Sequence, residues 1–161
     1  QLYTVERVID GDTFKLTTGE NVRLIGIDTP ESKKNDKAKR DAQRTNKDVA
    51  TITAMGKEST RFVKENLLSK GTIVLLEYDV QKKDRYGRIL AYAYLYSPSA
   101  KFNSKTMITK DNKTYIFINA EIIAKGYAQP MTIPPNVKYS ELFQKLYQEA
   151  RTHNRGLWKS P

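Results

Sequence analysis

Apolar and polar positions alternate one by one near the start of the chain. Phe14 and Leu16 bracket Lys15, and Val22 and Leu24 alternate with Arg23 and Ile25, the period-two mark of strands. Thr18-Gly19-Glu20-Asn21 between them carries turn residues, so this stretch reads as a hairpin. Leu2 to Ile9 reads as a preceding strand with Val5 and Ile9 inward. The alternation then stops. Ser32 to Asp48 holds seven basic and three acidic residues and no large apolar one, and the stretch up to Met55 reads as a mobile loop. From Gly56 to Ser69 the period lengthens to that of a helix, with Phe62, Val63, Leu67 and Leu68 on the core face and Lys70-Gly71 as its stop.

Thr72 to Tyr78 is a strand, too apolar at Ile73-Val74-Leu75-Leu76 for anything but burial. Asp84-Arg85-Tyr86-Gly87-Arg88 is a turn, and Ile89 to Tyr96 a strand with Leu90, Tyr92 and Tyr94 or their neighbours inward. Ser97 to Thr114 looks like an insertion, with a hairpin of Thr106 to Thr109 and Thr114 to Ile118 about Lys110-Asp111-Asn112-Lys113. Asn119 reads as the N-cap of a short helix, Ala120 to Lys125, stopped by Gly126. Met131 to Asn136, with prolines close by, is a loop. Ser140 reads as the cap of a last helix that buries Leu142, Phe143, Leu146, Tyr147 and Ala150. Gly156 reads as its end, and Leu157 and Trp158 are expected to fold back on its last turn.

A length of 161 residues fits one domain with a sizeable core. No run approaches a membrane span, and no signal-peptide pattern opens the sequence, as in a trimmed chain. Lys and Arg number 28 against 18 Asp and Glu, a net charge of +10. That balance suits a polyanionic partner such as nucleic acid, or simply solubility. Cysteine is absent and His153 is the one histidine. Thiol nucleophiles, zinc–thiolate sites and disulfides are excluded, and histidine-based triads are disfavoured. Any hydrolytic chemistry falls to acids, arginines and a metal.

Those acids stand at the two ends of the hairpin: Asp10 and Asp12 before its first strand, Asp28 and Glu31 after its second. A hairpin brings its ends together, so three or four carboxylates are expected to share a small space, with Arg23 nearby. Such a cluster suits a hard cation, Ca²⁺ or Mg²⁺; two solvated turns would read the same. Arg88, at the start of a strand, suits a positioned cation or an exposed hairpin residue. The basic Ser32–Asp48 stretch suits an arm that grips phosphates or a solvated insertion.

In order along the chain come Val8-Ile9-Asp10-Gly11-Asp12-Thr13, Arg23-Leu24-Ile25-Gly26-Ile27-Asp28-Thr29-Pro30-Glu31, Asp84-Arg85-Tyr86-Gly87-Arg88, Leu90-Ala91-Tyr92, Asn119 to Ala128, and Gly156-Leu157-Trp158. Together they resemble the staphylococcal nuclease (thermonuclease) family over nearly the whole chain. The resemblance implies an α+β, mainly β fold: a five-stranded Greek-key barrel of the OB type with three α-helices. It implies a Ca²⁺-dependent phosphodiesterase that cuts DNA and RNA, preferring single strands, and leaves 3′-phosphates. By position, Asp12 and Asp28 would bind Ca²⁺ through side chains and Thr29 through its carbonyl, with Asp10 in support. Glu31 would be the general base, Arg23 and Arg88 the catalytic cations, and Arg85 and Tyr86 the contacts to a terminal phosphate. A second role is expected of the Arg88 guanidinium, as a donor to backbone carbonyls near the last helix.

The sequence departs from the family's type enzyme in two longer stretches, after Glu31 and from Ser97 to Thr114. It also carries Met131-Thr132-Ile133-Pro134-Pro135 where tyrosines border the nucleotide pocket. The rival expectation is a non-catalytic OB-type module that binds single strands by stacking and charge. The standing of Asp12, Asp28, Glu31, Arg23 and Arg88 favours the enzyme, as a monomer. The lack of cysteine and the calcium requirement fit a secreted or surface-attached bacterial protein.

Overall fold

The computed structural model describes residues 1–33, 35–45, 47–96 and 104–159. Three antiparallel strands open it: β1 (Leu2–Asp10), β2 (Thr13–Leu16) and β3 (Asn21–Leu24). After the short β4 (Ile27–Asp28) come helices α1 (Asp36–Thr45) and α2 (Val49–Asn66). Strands β5 (Ile73–Glu77) and β6 (Ile89–Tyr96) follow, then the hairpin β7 (Met107–Lys110) and β8 (Lys113–Phe117). Helix α3 (Ile118–Ala124), β9 (Gln129–Pro130), α4 (Ser140–Thr152) and a 3-10 turn at Gly156–Trp158 complete the chain.

Strand β1 pairs with β5, β5 with β6, and β6 runs parallel to β3, with Val22 opposite Ile89 and Leu24 opposite Ala91. The ring β1-β2-β3-β6-β5 therefore closes, and closure leaves no sheet edge within it. The expected five-stranded barrel is present, extended at β6 by the β8–β7 hairpin. Of the Ser97–Thr114 stretch, residues 97–103 lie outside the described residues. Its hairpin turns on Asp111 and Asn112, both left-handed, as a two-residue turn between twisted strands requires.

Phe14, Leu16, Val22, Leu24, Val74 and Leu76 fill the core with Ile122, Ile123 and Phe143. Strand β6 is buried on both faces from Ala91 to Tyr94, because Tyr92 and Tyr94 meet Phe117 and, for Tyr92, Tyr139 and Phe143 of the α4 side. Helix α4 buries Phe143, Leu146 and Ala150. Trp158 does fold back, edge-on to Tyr147.

Four α-helices replace the expected three. The stretch read as a loop forms α1, packed on α2 through Ala38, Ala42 and Ile52. Two alanines make a stripe too small to register as a periodic apolar face. Helix α2 starts seven residues before the expected Gly56, capped by Asp48, whose side chain accepts from the Thr51 N–H at 2.6 Å. Gly56 is instead where α2 crosses the chain at Glu31: a Cβ there would lie 2.3 Å from the Glu31 carbonyl oxygen.

Asn119 is not a cap. It lies inside α3, fully buried, and ties β6 to the turn after β3: its side-chain oxygen accepts from the Ala93 N–H (2.9 Å) and its amide donates to the Ile25 carbonyl (2.8 Å). Ser140 likewise is the first residue of α4, with no side-chain cap bond at the helix start. The chain leaves α4 at His153 and left-handed Asn154. Gly156, also left-handed, permits close passage instead, since a Cβ there would meet the Lys125 and Gly126 carbonyls at 2.5 and 2.6 Å.

Candidate active site

Asp10, Asp12, Asp28, Glu31, Arg23, Arg88, Arg85 and Tyr86 all line one cavity of about 500 Å³. Its floor is where the barrel closes. The β1–β2 turn delivers Asp12, β3 delivers Arg23, and β4 ends on Asp28. The turn before β6 delivers Arg88. Thr29 lies behind this wall, 2% exposed, and its N–H and hydroxyl both donate to Asp12 Oδ2 at 3.1 Å.

Arg23 is the buried hub, its side chain 14% exposed. One guanidinium nitrogen donates to the carbonyls of Leu24 (2.6 Å) and Ile27 (2.9 Å), which holds the corner between β3 and β4. The other lies 3.5 Å from Asp12 Oδ2 and 3.7 Å from Asp28 Oδ1. The carbonyl-holding role expected of Arg88 thus belongs to Arg23. Near the last helix it is Arg155 that donates to a main-chain carbonyl, that of Ala124.

Arg88 is organised by its own turn. Asp84 accepts from the N–H groups of Tyr86 and Arg88 at 2.9 Å each, and from Arg88 Nε at 2.7 Å. Burial works against the Asp84 charge, yet the hydrogen bonds from Arg88 outweigh it and hold the carboxyl below its ordinary value. Arg85 bonds the Tyr86 hydroxyl at 2.6 Å and lies 4.9 Å from its ring centre. Tyr86 itself is 68% exposed.

The four acids line one space, but they do not converge as expected. Asp10 accepts from the Ser32 hydroxyl at 2.6 Å, and Glu31 from the Asn35 amide at 3.1 Å. Among the described residues no group of three or more Asp, Glu or His side chains is arranged to hold a metal ion. Asp12 and Asp28 do come together, sharing one Arg23 nitrogen. Two carboxylates are hard oxygen ligands of the kind that Ca²⁺ takes.

Lys37, on α1, already shows that this spot draws a cation. Its ammonium lies 3.1 Å from Asp28, 3.4 Å from Asp41 and 3.5 Å from Glu31. Burial disfavours its charge, but the three carboxylates prevail and raise its pKa above the ordinary lysine value. Sequence reasoning missed Lys37, because its contacts depend on where α1 packs. It missed Asp84 as well, although an Asp and an Arg at the two ends of a five-residue turn motif are a readable signal. The apolar wall is Met131 and Ile133. Asn136 locks that loop to the Arg88 side: its side chain accepts from the Gln81 N–H at 2.8 Å and donates to the Gln81 carbonyl at 2.9 Å.

The family model described as staphylococcal nuclease homologue matches residues 21–160. The chain belongs to the staphylococcal nuclease family. It is 34% identical over 163 residues to a thermonuclease of Staphylococcus hyicus, covering 99% of this chain and 77% of that one. It is 33% identical over 160 residues to a thermonuclease of Staphylococcus intermedius, covering 98% and 76%. It is also similar to the SPbeta prophage-derived endonuclease YokF of Bacillus subtilis, 30% identical over 160 residues, 96% of this chain and 43% of that protein. The short β4–β9 pair and the β6 turn, which carry Asp28 and Arg88, both fall inside the family match.

Proposed function

We propose that this chain is a calcium-dependent nuclease that hydrolyses phosphodiester bonds of DNA and RNA to 3′-phosphate ends. The observation that carries the reading is the single cavity in which two arginines, two adjoining aspartates and a glutamate meet. In this proposal Asp12 and Asp28, with the Thr29 carbonyl, hold the ion. When bound, Ca²⁺ supplies charge that offsets the phosphate and favours a hydroxide-like water. Glu31 accepts the proton of the attacking water. Water adds to phosphorus, the bond to the 5′-oxygen breaks, that oxygen takes a proton from solvent water, and the phosphate stays on the 3′-oxygen.

Negative charge builds on the non-bridging oxygens during that step. Arg23 and Arg88, fixed beforehand by the Leu24 and Ile27 carbonyls and by Asp84, are suited to hold it. Arg85 and Tyr86 take a terminal phosphate and its base. The exposed faces of Tyr86 and of Ile133, 59% exposed, favour an unstacked base and hence single strands. Residues 1–161 act in this reading as one nuclease-like domain and as a monomer. Secretion or surface attachment fits the calcium requirement and the absence of cysteine. Among the described residues no helix is long and apolar enough to cross a membrane.

Purified protein should degrade denatured DNA with Ca²⁺ and stop on addition of EDTA, with 3′-phosphates on the products. Equal cutting in EDTA would remove the metal from the mechanism. Oligonucleotide binding without cutting in either condition would favour the non-catalytic module. Mg²⁺ should replace Ca²⁺ poorly, because it demands stricter octahedral geometry.

Lys37 competes for Asp28 in this reading. Calorimetric titration of Lys37→Met should show Ca²⁺ bound about two- to fivefold more tightly than by the parent, the scale of a partly exposed ion pair. Weaker binding would make Lys37 a support of the site.

A further inference from the structure

Helix α1 turns Ala38 and Ala42 to α2. Lys37, Arg40, Asp41 and Arg44 follow one another at three- and four-residue spacing on another face. That face lines a second cavity of about 400 Å³, which shares Asp28, Lys37 and Met131 with the first. The two cavities therefore adjoin at these shared residues, and a groove over them would run from Tyr86 past Arg88 and Asp28 to the α1 arginines. Asp41 spaces the cations, pairing with Arg44 at 2.7 Å and Lys37 at 3.4 Å. Arg40 makes no ion pair among the described residues and is exposed.

We propose that the α1 end of this groove is a second phosphate subsite. Arg40 and Arg44 there take the phosphodiester next to the scissile one in a single-stranded polynucleotide. Guanidinium forks match phosphate oxygens, and the opposite wall of Gln129, Pro130 and Met131 offers a surface for the sugar. The inference rests on the nuclease reading only for the place of the scissile bond. Its consequence is a preference for chains that extend past that bond, and so for internal cleavage over dinucleotide-sized fragments.

The test is Arg40→Gln/Arg44→Gln against the parent, with melts to show that both are folded. Binding of a fluorescent single-stranded 20-mer is followed by anisotropy in EDTA, where nothing is cut, across a salt series. Losing two phosphate contacts should lower the slope of log affinity against log salt by about 1.4. The ratio of kcat/KM on the 20-mer to that on a dinucleotide should fall about three- to tenfold, the scale of two exposed charge contacts. An unchanged slope together with an unchanged ratio overturns the subsite. A lowered slope with no cutting by the parent supports the subsite and overturns the nuclease reading. Equal losses of kcat/KM on both substrates overturn the subsite and assign the arginines to the reacting centre.

Discussion

Arg88→Met is expected to lower kcat by about 10²-fold or more, the scale of removing one preorganised charge donor from a transition state, with little change in the melting temperature. Its side chain is 34% exposed and its one ion pair among the described residues is with Asp84 in the same turn, a pair worth about 1 kcal/mol or less to the fold. Substrate affinity should change far less than kcat, because only interactions stronger in the transition state lower the barrier. Glu31→Gln should behave alike: among the described residues it accepts one hydrogen bond, from Asn35, and pairs with Lys37, both on the segment that it introduces. Arg23→Met should lose as much rate and also stability. It strips donors from two main-chain carbonyls and leaves Asp12 and Asp28 side by side, a cost of about 2–4 kcal/mol. Single-turnover kinetics, binding in EDTA and thermal melts on the three variants separate these effects. If all three stay folded and cut at the parent rate, the reacting centre lies elsewhere.

The first hairpin and the meeting of its ends were legible because that information is local, whereas the closed barrel, sealed by the distant β3–β6 pairing, was implied by the family resemblance. Alternation at Phe14-Lys15-Leu16 and Val22-Arg23-Leu24 sets each residue's face, and a hairpin necessarily joins Asp12 to Asp28. The same logic fails for α1. Its apolar stripe is two alanines and its polar face is dense in charge, so nothing in its composition separates a packed helix from a solvated loop. Asn119 misled for a different reason. Asparagine serves as readily across a fold as at a helix start, and only the approach of β3 and β6 reveals which. Arginine roles were exchanged on similar grounds. Arg23 sits in β3 and Arg88 just before β6, but only Arg23 is enclosed where the chain turns out of the barrel. Lys37 touches three carboxylates spread over fourteen residues of sequence, Asp28 to Asp41, a coincidence that no spacing rule contains.

Asn119→Ala is expected to destabilise the protein by about 2–5 kcal/mol, since it leaves two buried main-chain groups unpaired, each costing about 1–3 kcal/mol. The Ala93 N–H and the Ile25 carbonyl both lose their partner, and the site is fully enclosed, so water has no entry. For a domain of this size that loss corresponds to a fall in Tm of roughly 5–15 °C. The position matters beyond stability. Ile25 also donates its N–H to the Ala91 carbonyl at 3.0 Å, continuing the β3–β6 seam that closes the barrel. Asn119 therefore pins the chain between Arg23 and Asp28 to β6, the strand that Arg88 precedes. Loosening it should lower kcat/KM even well below the melting transition, by disturbing how the two arginines face each other. Denaturant titration gives the first quantity, and initial rates at 15 °C below the variant's own Tm give the second. A loss under about 1 kcal/mol would mean that a replacement donor and acceptor reach both groups, and Asn119 would then be a packing residue with no hold on the site.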